Sequence, residues 1–242
     1  VDRVGHDVSR FRVGDDVFGV VLTQPLHAGA FADYLVVPQD NNIAAIPAGL
    51  DIATAGVLGL AGAAAAASVE AISLRPGETV LVSGATGGVG ALAVQMCTAK
   101  GATVIATAAA GAEQTHVRRL GAAHTVDYTD DLAPQVRAIA PDGVHAALHF
   151  AGDGPGLADL VVAGGRFASL LSVGADQLGG RDVTATSVYA NPERVMLDTL
   201  AARAVAGQLT ISVQRAYSLD EIPRAFVDFA QGTLGKLAVK IS

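Results

Sequence analysis

The sequence predicts an α/β fold built on a doubly wound parallel sheet, and three observations support this prediction. Short apolar segments alternate with helical segments from residue 79 to residue 187. A glycine-rich turn directly follows the first of those apolar segments. The stretches on either side of this region have a different pattern.

The composition is that of a globular protein with a large core. Of the 242 residues, 51% are hydrophobic and 16% are charged, which argues against a disordered chain. The formal net charge of -7 disfavours binding to nucleic acid. A single cysteine allows neither an internal disulfide nor a cysteine-rich zinc site. With no basic-then-apolar leader visible, we expect a reducing, cytoplasmic location.

The first fifty residues predict turns and short strands, including strands within residues 13–19 and 30–37. Residues 51–73 then predict an alanine-rich helix. Its 18 uncharged residues from 52 to 69 are at the lower limit of length for a membrane span. Alanine and glycine gain little on transfer into hydrocarbon, so we predict a buried, tightly packed helix and no membrane partner.

The central region alternates strand and helix, which demands parallel pairing because each crossover helix returns the chain to the same sheet edge. Helices are predicted after the glycine-rich turn to about Lys100, and over residues 112–120, 131–140 and 157–163. The predicted strands are 79–83, 103–107, 125–128, 144–150, 166–171 and 182–187.

The last fifty residues predict two helices and one strand. Residues 192–206 form a long helical pattern. Ser218 and Glu221 have the spacing of a capping box that opens a helix to about Gln231. Residues 236–241 predict a closing strand.

The motif that carries chemistry is the turn containing Gly84, Gly87 and Gly90, between a buried strand and a helix. Glycines allow a sharp turn, and the free amides and dipole of the helix terminus attract a pyrophosphate. The alternative is a tight turn that needs glycine only for packing. A phosphate loop of the GxxxxGK[ST] type is excluded, because Val89 occupies its second glycine position.

A short-chain dehydrogenase pattern also fits Gly84, Gly88 and Gly90. That family resemblance implies a Tyr-x-x-x-Lys pair downstream. None of the four tyrosines is followed four residues later by lysine, so this interpretation fails.

The end of the second predicted strand indicates the coenzyme. An acid there binds the ribose 2′-hydroxyl of NAD and repels a 2′-phosphate. Residues 107–110 contain no acid, which favours NADP(H) over NAD(H). Glu113 is the nearest charged residue. Arg118 and Arg119 follow on the helix, where they either serve the phosphate or form a solvated face.

No metal site is predicted. His145 and His149 share a strand face, but four residues of strand separate them by about 13 Å, too far for two ligands of one metal. Cys97 lies among apolar neighbours in a predicted helix, where it serves packing.

The ordered motifs resemble the zinc-free, zeta-crystallin-like quinone oxidoreductase branch of the medium-chain dehydrogenase/reductase superfamily. The resemblance covers essentially the whole chain, and no cysteine cluster of the zinc alcohol dehydrogenases stands between Val20 and Gly29. The segments that carry it are residues 12–19, 29–34, 46–49, 74–82, 84–90, 120–122, 127–128 and 235–239.

The resemblance implies a fold and an activity. A discontinuous GroES-like barrel lobe, incomplete at its start, would comprise residues 1–52 and 190–242, and a Rossmann domain residues 53–189. NADPH would lie in the cleft and transfer hydride, without zinc, to a small-molecule quinone or α,β-unsaturated carbonyl. A homodimer is the family's expected assembly. No catalytic residue is assigned, since Tyr34 and Tyr189 are better explained as packed tyrosines.

The resemblance also assigns coenzyme contacts by position. Thr107 and Ala108 match the adenosine ribose edge, and Tyr128 matches an adenosine-side tyrosine. Two pairs match loops on the nicotinamide side: Ala151 with Gly152, and Leu170 with Leu171. The residues that match the pyrophosphate loop are Gly84, Thr86, Gly87, Gly88 and Val89.

Three departures from the family pattern keep a second hypothesis open. Ala64 stands where a nicotinamide-contacting threonine is usual, and Glu113 where a 2′-phosphate-binding lysine is common. The sequence also begins partway through the barrel lobe. The alternative is a non-catalytic NADPH-binding protein with a structural or redox-sensing role.

Overall fold

The computed structural model describes residues 1–22, 29–40 and 42–241. Most of the stretch between Val20 and Gly29, where the cysteine cluster is missing from the sequence, lies outside them. The chain divides into two compact units, one of Val1–Ala63 with Asn191–Ser242 and one of Ala64–Ala190. The boundary predicted after residue 52 falls at the start of a helix that continues across the division.

The first unit begins with a short antiparallel pair. Strand β1, Val17–Gly19, pairs with β2, Ile43–Ala45. The strand predicted at residues 30–37 is wrong, because the structure has only bends and irregular backbone there. The alternating pattern of that segment finds no ladder partner, and Val36 is left 96% exposed.

One long apolar helix follows. It runs as α1, Ile52–Val57, a π-helical turn, Leu58–Gly62, and α2, Ala63–Ala71. Within the described residues this is the one helix long and apolar enough to cross a membrane. However, 61% of its most apolar stretch is buried inside the protein, as in a core helix.

The second unit is a six-stranded parallel sheet with helices between its strands, which confirms the predicted doubly wound fold. The spatial order of the strands is β5-β4-β3-β6-β7-β8. The helices are α3, Gly88–Ala99, α4, Ala112–Arg119, α5, Leu132–Ile139, and α6, Gly154–Ala158. The strands are β3, Thr79–Ser83, β4, Thr103–Thr107, β5, His124–Val126, β6, Val144–His149, β7, Val161–Ser169, and β8, Val183–Ser187.

The strand order reverses beside β3, whose neighbours are β4 on one side and β6 on the other. A crevice therefore opens at the carboxyl ends of β3 and β6, where open α/β sheets bind ligands. A cluster of apolar side chains packs against the sheet, and Leu81, Ile105 and Phe167 have no exposed surface.

One helix prediction in this unit is wrong. Residues 157–163 were predicted to be helical, yet α6 ends at Ala158 and β7 begins at Val161. The helix starts early because Asp153 caps it, accepting a hydrogen bond from Gly156 N at 3.0 Å. The β-branched pair Val161 and Val162 then joins the sheet.

The tail returns to the first unit as helix, strand, helix and strand. The elements are α7, Arg194–Val205, β9, Val213–Ser218, α8, Ile222–Ala230, and β10, Lys236–Lys240. Strand β9, which pairs in parallel with β10, was not predicted. The capping box is present, but a 3-10 turn, Leu219–Glu221, precedes the α-helix.

Candidate cofactor site

The glycine-rich turn between β3 and α3 leaves a helix terminus uncapped. Gly84 has φ +70, and its amide donates to Thr107 Oγ1 at 3.0 Å. Gly87 is the N-cap of α3 in an extended conformation, and no side chain caps the first turn of the helix. The first amides of a helix lack intrahelical partners, so this terminus is built to receive an anion.

Different steric constraints act on the glycines of this turn. A Cβ on Gly90 would lie 2.1 Å from Gly84 O, so only glycine lets α3 pack on the end of β3. A Cβ on Gly87 would lie 3.6 Å from the same oxygen, which is ordinary contact. A tight turn that needs glycine only for packing explains Gly84 and Gly90, but it gives no reason for glycine at position 87. Close approach of a ligand to the backbone does give a reason for Gly87.

A cavity of about 610 Å³ lies beside this turn, within the second unit. Its walls come from the carboxyl ends of β3, β4 and β6 and from the segment that opens α5. Six of the twelve predicted site residues line it: Gly84, Thr86, Thr107, Tyr128, Ala151 and Gly152. Sequence reasoning missed its other lining residues, among them Ser83, Asp130, Asp131 and Asp153.

The remaining predicted residues do not line the cavity. Gly88 and Val89 open α3 after Gly87. Ala108 is fully buried, and its amide donates to Val126 O at 2.9 Å. Leu170 and Leu171 follow β7, and Leu171 is half exposed. The part of the coenzyme that each predicted residue contacts stays a prediction.

At the end of β4, a carboxylate folds back over the backbone. Glu113 Oε2 accepts a hydrogen bond from Ala109 N at 2.8 Å. The Tyr128 hydroxyl donates to Glu113 Oε1 at 2.9 Å. This hydrogen bond raises the pKa of Tyr128, and burial and the charges of Glu113 and Asp127 raise it further. The tyrosine is therefore a neutral donor to the carboxylate.

Asp127 adds a second negative charge at the same place. Its Oδ2 accepts from Ala110 N at 3.3 Å, and its Oδ1 accepts from the backbone and the hydroxyl of Thr129. The hydrogen bonds from Thr129 lower the pKa of Asp127, so this carboxyl is ionised at neutral pH. The ribose edge predicted from the sequence is thus acidic.

On the other side of the crevice, the loop after β6 is fixed by polar side chains that sequence reasoning missed. The Ser83 hydroxyl donates to Ala151 O. His149 Nε2 lies 3.1 Å from Gly152 O, and its Nδ1 lies 3.0 Å from Ser169 Oγ. The available signal was that polar residues end both β6 and β7, at the edge of the sheet where ligands bind.

Within the described residues, no group of three or more histidine, cysteine or acidic side chains is placed to hold a metal. His145 Nδ1 instead accepts a hydrogen bond from Thr79 N at 3.0 Å. Cys97 is fully buried in α3, and burial raises the pKa of its thiol to about 12.

These features together fit a dinucleotide. The cavity lies at the reversal of strand order and is lined by Gly84 and Thr86, and the same turn leads directly into the uncapped terminus of α3. They match the pyrophosphate site of a Rossmann sheet in both position and chemistry.

Comparison with known proteins agrees with this geometry. Residues 88–213, just over half of the chain, match the family described as zinc-binding dehydrogenase. YhfP of Bacillus subtilis is 29% identical over 276 aligned positions, which cover 100% of this chain and 80% of YhfP. A quinone oxidoreductase of Pseudomonas aeruginosa is 34% identical over 132 residues. That match covers 54% of this chain but only 39% of the Pseudomonas protein.

Two solved structures extend the similarity to the fold. A quinone oxidoreductase from Coxiella burnetii has a TM-score of 0.88 at 25% identity, over 99% of this chain and 76% of the other. A quinone oxidoreductase from Pseudomonas syringae pv. Tomato has a TM-score of 0.85 at 27% identity, over 98% and 78% of the two chains.

Proposed function

Because this chain belongs to the zinc-binding dehydrogenase family, in the quinone oxidoreductase branch of the medium-chain dehydrogenase/reductase superfamily, we propose that it reduces a quinone or an α,β-unsaturated carbonyl without zinc. The members of this superfamily are oxidoreductases that use a nicotinamide coenzyme. A bound reduced nicotinamide supplies hydride to an electrophilic carbon. The sequence predicts NADPH as the donor. The position of Glu113 also affects the choice between NADPH and NADH.

The observation that carries the proposal is the uncapped start of α3 beside a cavity at the reversal of strand order. The amides after Gly87 bind the pyrophosphate, and the missing side chain at Gly90 lets the helix pack against the backbone of the turn at Gly84. Ser83 and His149 fix the loop at Ala151 and Gly152, which orients the nicotinamide end.

Binding is tested first, independently of turnover. Fluorescence titration with NADH and with NADPH is compared for the wild-type protein, Gly87→Asp and Gly87→Ala. The aspartate places a negative charge at the pyrophosphate position, and we expect affinity to fall by about a hundredfold or more. Gly87→Ala is the control for the charge, because it adds the same Cβ without the carboxylate and keeps ordinary contact distances within the protein. It should weaken binding much less than Gly87→Asp. Equal binding by Gly87→Asp would contradict the proposed site.

Activity is tested next, by the loss of reduced-nicotinamide absorbance with an ortho-naphthoquinone, a para-quinone and an alkenal. We expect turnover with at least one of these acceptors and none in Gly87→Asp. Tight coenzyme binding with no turnover across the panel would instead support the non-catalytic alternative. The homodimer, the GroES-like identity of the first unit and the cytoplasmic location stay predictions.

A further inference from the structure

Glu113 lies beside the end of β4, the strand end at which Rossmann sheets recognise the ribose of a dinucleotide. It belongs to the first turn of α4, yet its carboxylate reaches back to the end of β4. One oxygen accepts from Ala109 N and the other from the Tyr128 hydroxyl. The structure therefore places a carboxylate beside the end of β4, although residues 107–110 themselves contain no acid.

This carboxylate is not neutralised by a neighbouring cation. In the part of the chain that the structure describes, no lysine or arginine forms an ion pair with Glu113. Arg118, a candidate phosphate ligand in the sequence, donates to Thr125 Oγ1 at 2.7 Å. Asp127 adds a second carboxylate at the strand end, where it accepts from Ala110 N.

We infer that Glu113 makes this site select NAD(H) over NADP(H), an inference that rests on the proposed coenzyme-binding function. A carboxylate has about four lone-pair positions, and two are used by Ala109 and Tyr128. The remaining positions accept hydrogen bonds from the ribose hydroxyls of NAD. A 2′-phosphate is mostly a dianion at neutral pH, so it replaces a hydroxyl donor with acceptors and adds negative charge beside Glu113 and Asp127.

The decisive measurement is the ratio of the NADPH and NADH dissociation constants, determined by fluorescence titration without any acceptor. For wild type we expect NADH to bind at least about tenfold more tightly. Glu113→Gln keeps the size of the side chain and removes its charge. The NADPH dissociation constant divided by that of NADH should therefore fall by about tenfold. Glu113→Lys should reverse the preference. Glu70→Gln, an exposed glutamate in the same unit, is the matched control and should leave the ratio unchanged.

A second measurement isolates the 2′-phosphate and does not depend on the nicotinamide. Calorimetry with AMP and with adenosine 2′,5′-bisphosphate should show the same preference in wild type and its loss in Glu113→Gln. Thermal unfolding of each variant shows whether the fold is kept.

Three results would overturn the inference. One is tighter binding of NADPH than of NADH by wild type, which leaves the proposed function intact. Another is an unchanged ratio in a folded Glu113→Gln variant, which also leaves that function intact. The third is failure of both dinucleotides to bind wild type, which removes the proposed coenzyme site and the role of Glu113 together.

Discussion

The imidazole of His149 and the hydroxyl of Ser169 form a buried hydrogen bond of 3.0 Å at the carboxyl ends of β6 and β7. The two residues are register partners in the sheet. Ser169 Oγ also accepts from Leu171 N and Val173 N, so its own hydrogen goes to His149 Nδ1. His149 Nε2 then carries the proton and donates to Gly152 O. One network thus holds two loops of the crevice.

We expect Ser169→Ala to loosen the loop after β7 and to destabilise the protein. The substitution leaves two amides and an imidazole nitrogen without their partner, at a cost of about 1–3 kcal/mol. Urea unfolding measures this cost, and fluorescence titration with NADH tests whether affinity falls as well. Ser187→Ala is the control, because Ser187 is the register partner of Ser169 on β8 and belongs to none of these bonds. An equal loss in both variants would contradict a specific role for the network.

We expect Gly90→Ala and Gly87→Ala to differ sharply although they change the same turn. The Gly90 Cβ would lie 2.1 Å from Gly84 O and 2.6 Å from Ala85 Cα, both backbone atoms that cannot move freely. Displacing α3 should cost about 3 kcal/mol and weaken coenzyme binding. Gly87→Ala should keep the wild-type unfolding free energy within about 0.5 kcal/mol. Similar unfolding curves for the two variants would show that the helix tolerates the shift.

The features that could be predicted from the sequence are those encoded locally. The strand, glycine turn and helix from Thr79 to Ala99 are contiguous, so their pattern fixes both the element types and the anion-binding terminus. Strand β9 could not be predicted in the same way. It has mixed polar and apolar residues, and it becomes a strand only because β10 pairs with it from about twenty residues away.

In the candidate site, too, some features are encoded locally and others depend on contacts between distant residues. The sequence identifies Glu113 as the charge nearest to the end of β4, but it cannot show where the side chain points. Its contacts with Ala109 and Tyr128 depend on the start of α4 and on the segment that follows β5. Likewise, His149 and Ser169 are twenty residues apart in the chain, and only the register of β6 with β7 brings them together.

We expect the Glu78–Arg166 ion pair to stabilise the second unit, with both side chains largely buried. Burial alone would raise the pKa of Glu78, but hydrogen bonds from Arg166 and Arg75 N and the Arg166 charge lower it overall. Arg166→Met leaves Glu78 without its cation and should cost about 2 kcal/mol. Arg137→Met, at an exposed position on α5, should cost less than about 0.5 kcal/mol.

The same ion pair predicts a pH dependence in acid. A carboxyl whose folded pKa is lowered contributes stability above its ordinary value of 4.5, and this is lost as pH falls through the folded value. Urea unfolding of wild type and Arg166→Met should therefore converge as the solution is acidified. A difference in unfolding free energy between the two proteins that stays constant down to the acid transition would contradict the role given to the ion pair.

We expect His116 to make the protein less stable as the pH falls below neutrality. The imidazole is 7% exposed, and its Nε2 has no hydrogen-bond partner in the described part of the chain. Burial lowers its pKa from the ordinary 6.5, and the charge of Arg119 lowers it further. Between the lowered value and 6.5, the unfolded chain binds more protons than the folded one, so the free energy of unfolding decreases as pH falls.

His116→Phe removes the titrating group and should flatten the stability profile between about pH 7.5 and about pH 5.5, a range above the ordinary pKa values of the carboxyls. Urea unfolding across that range measures the effect. His124→Gln is the matched control, because His124 is exposed and in the same unit. It should leave the slope unchanged. A wild-type slope that persists in His116→Phe would place the responsible proton on another group.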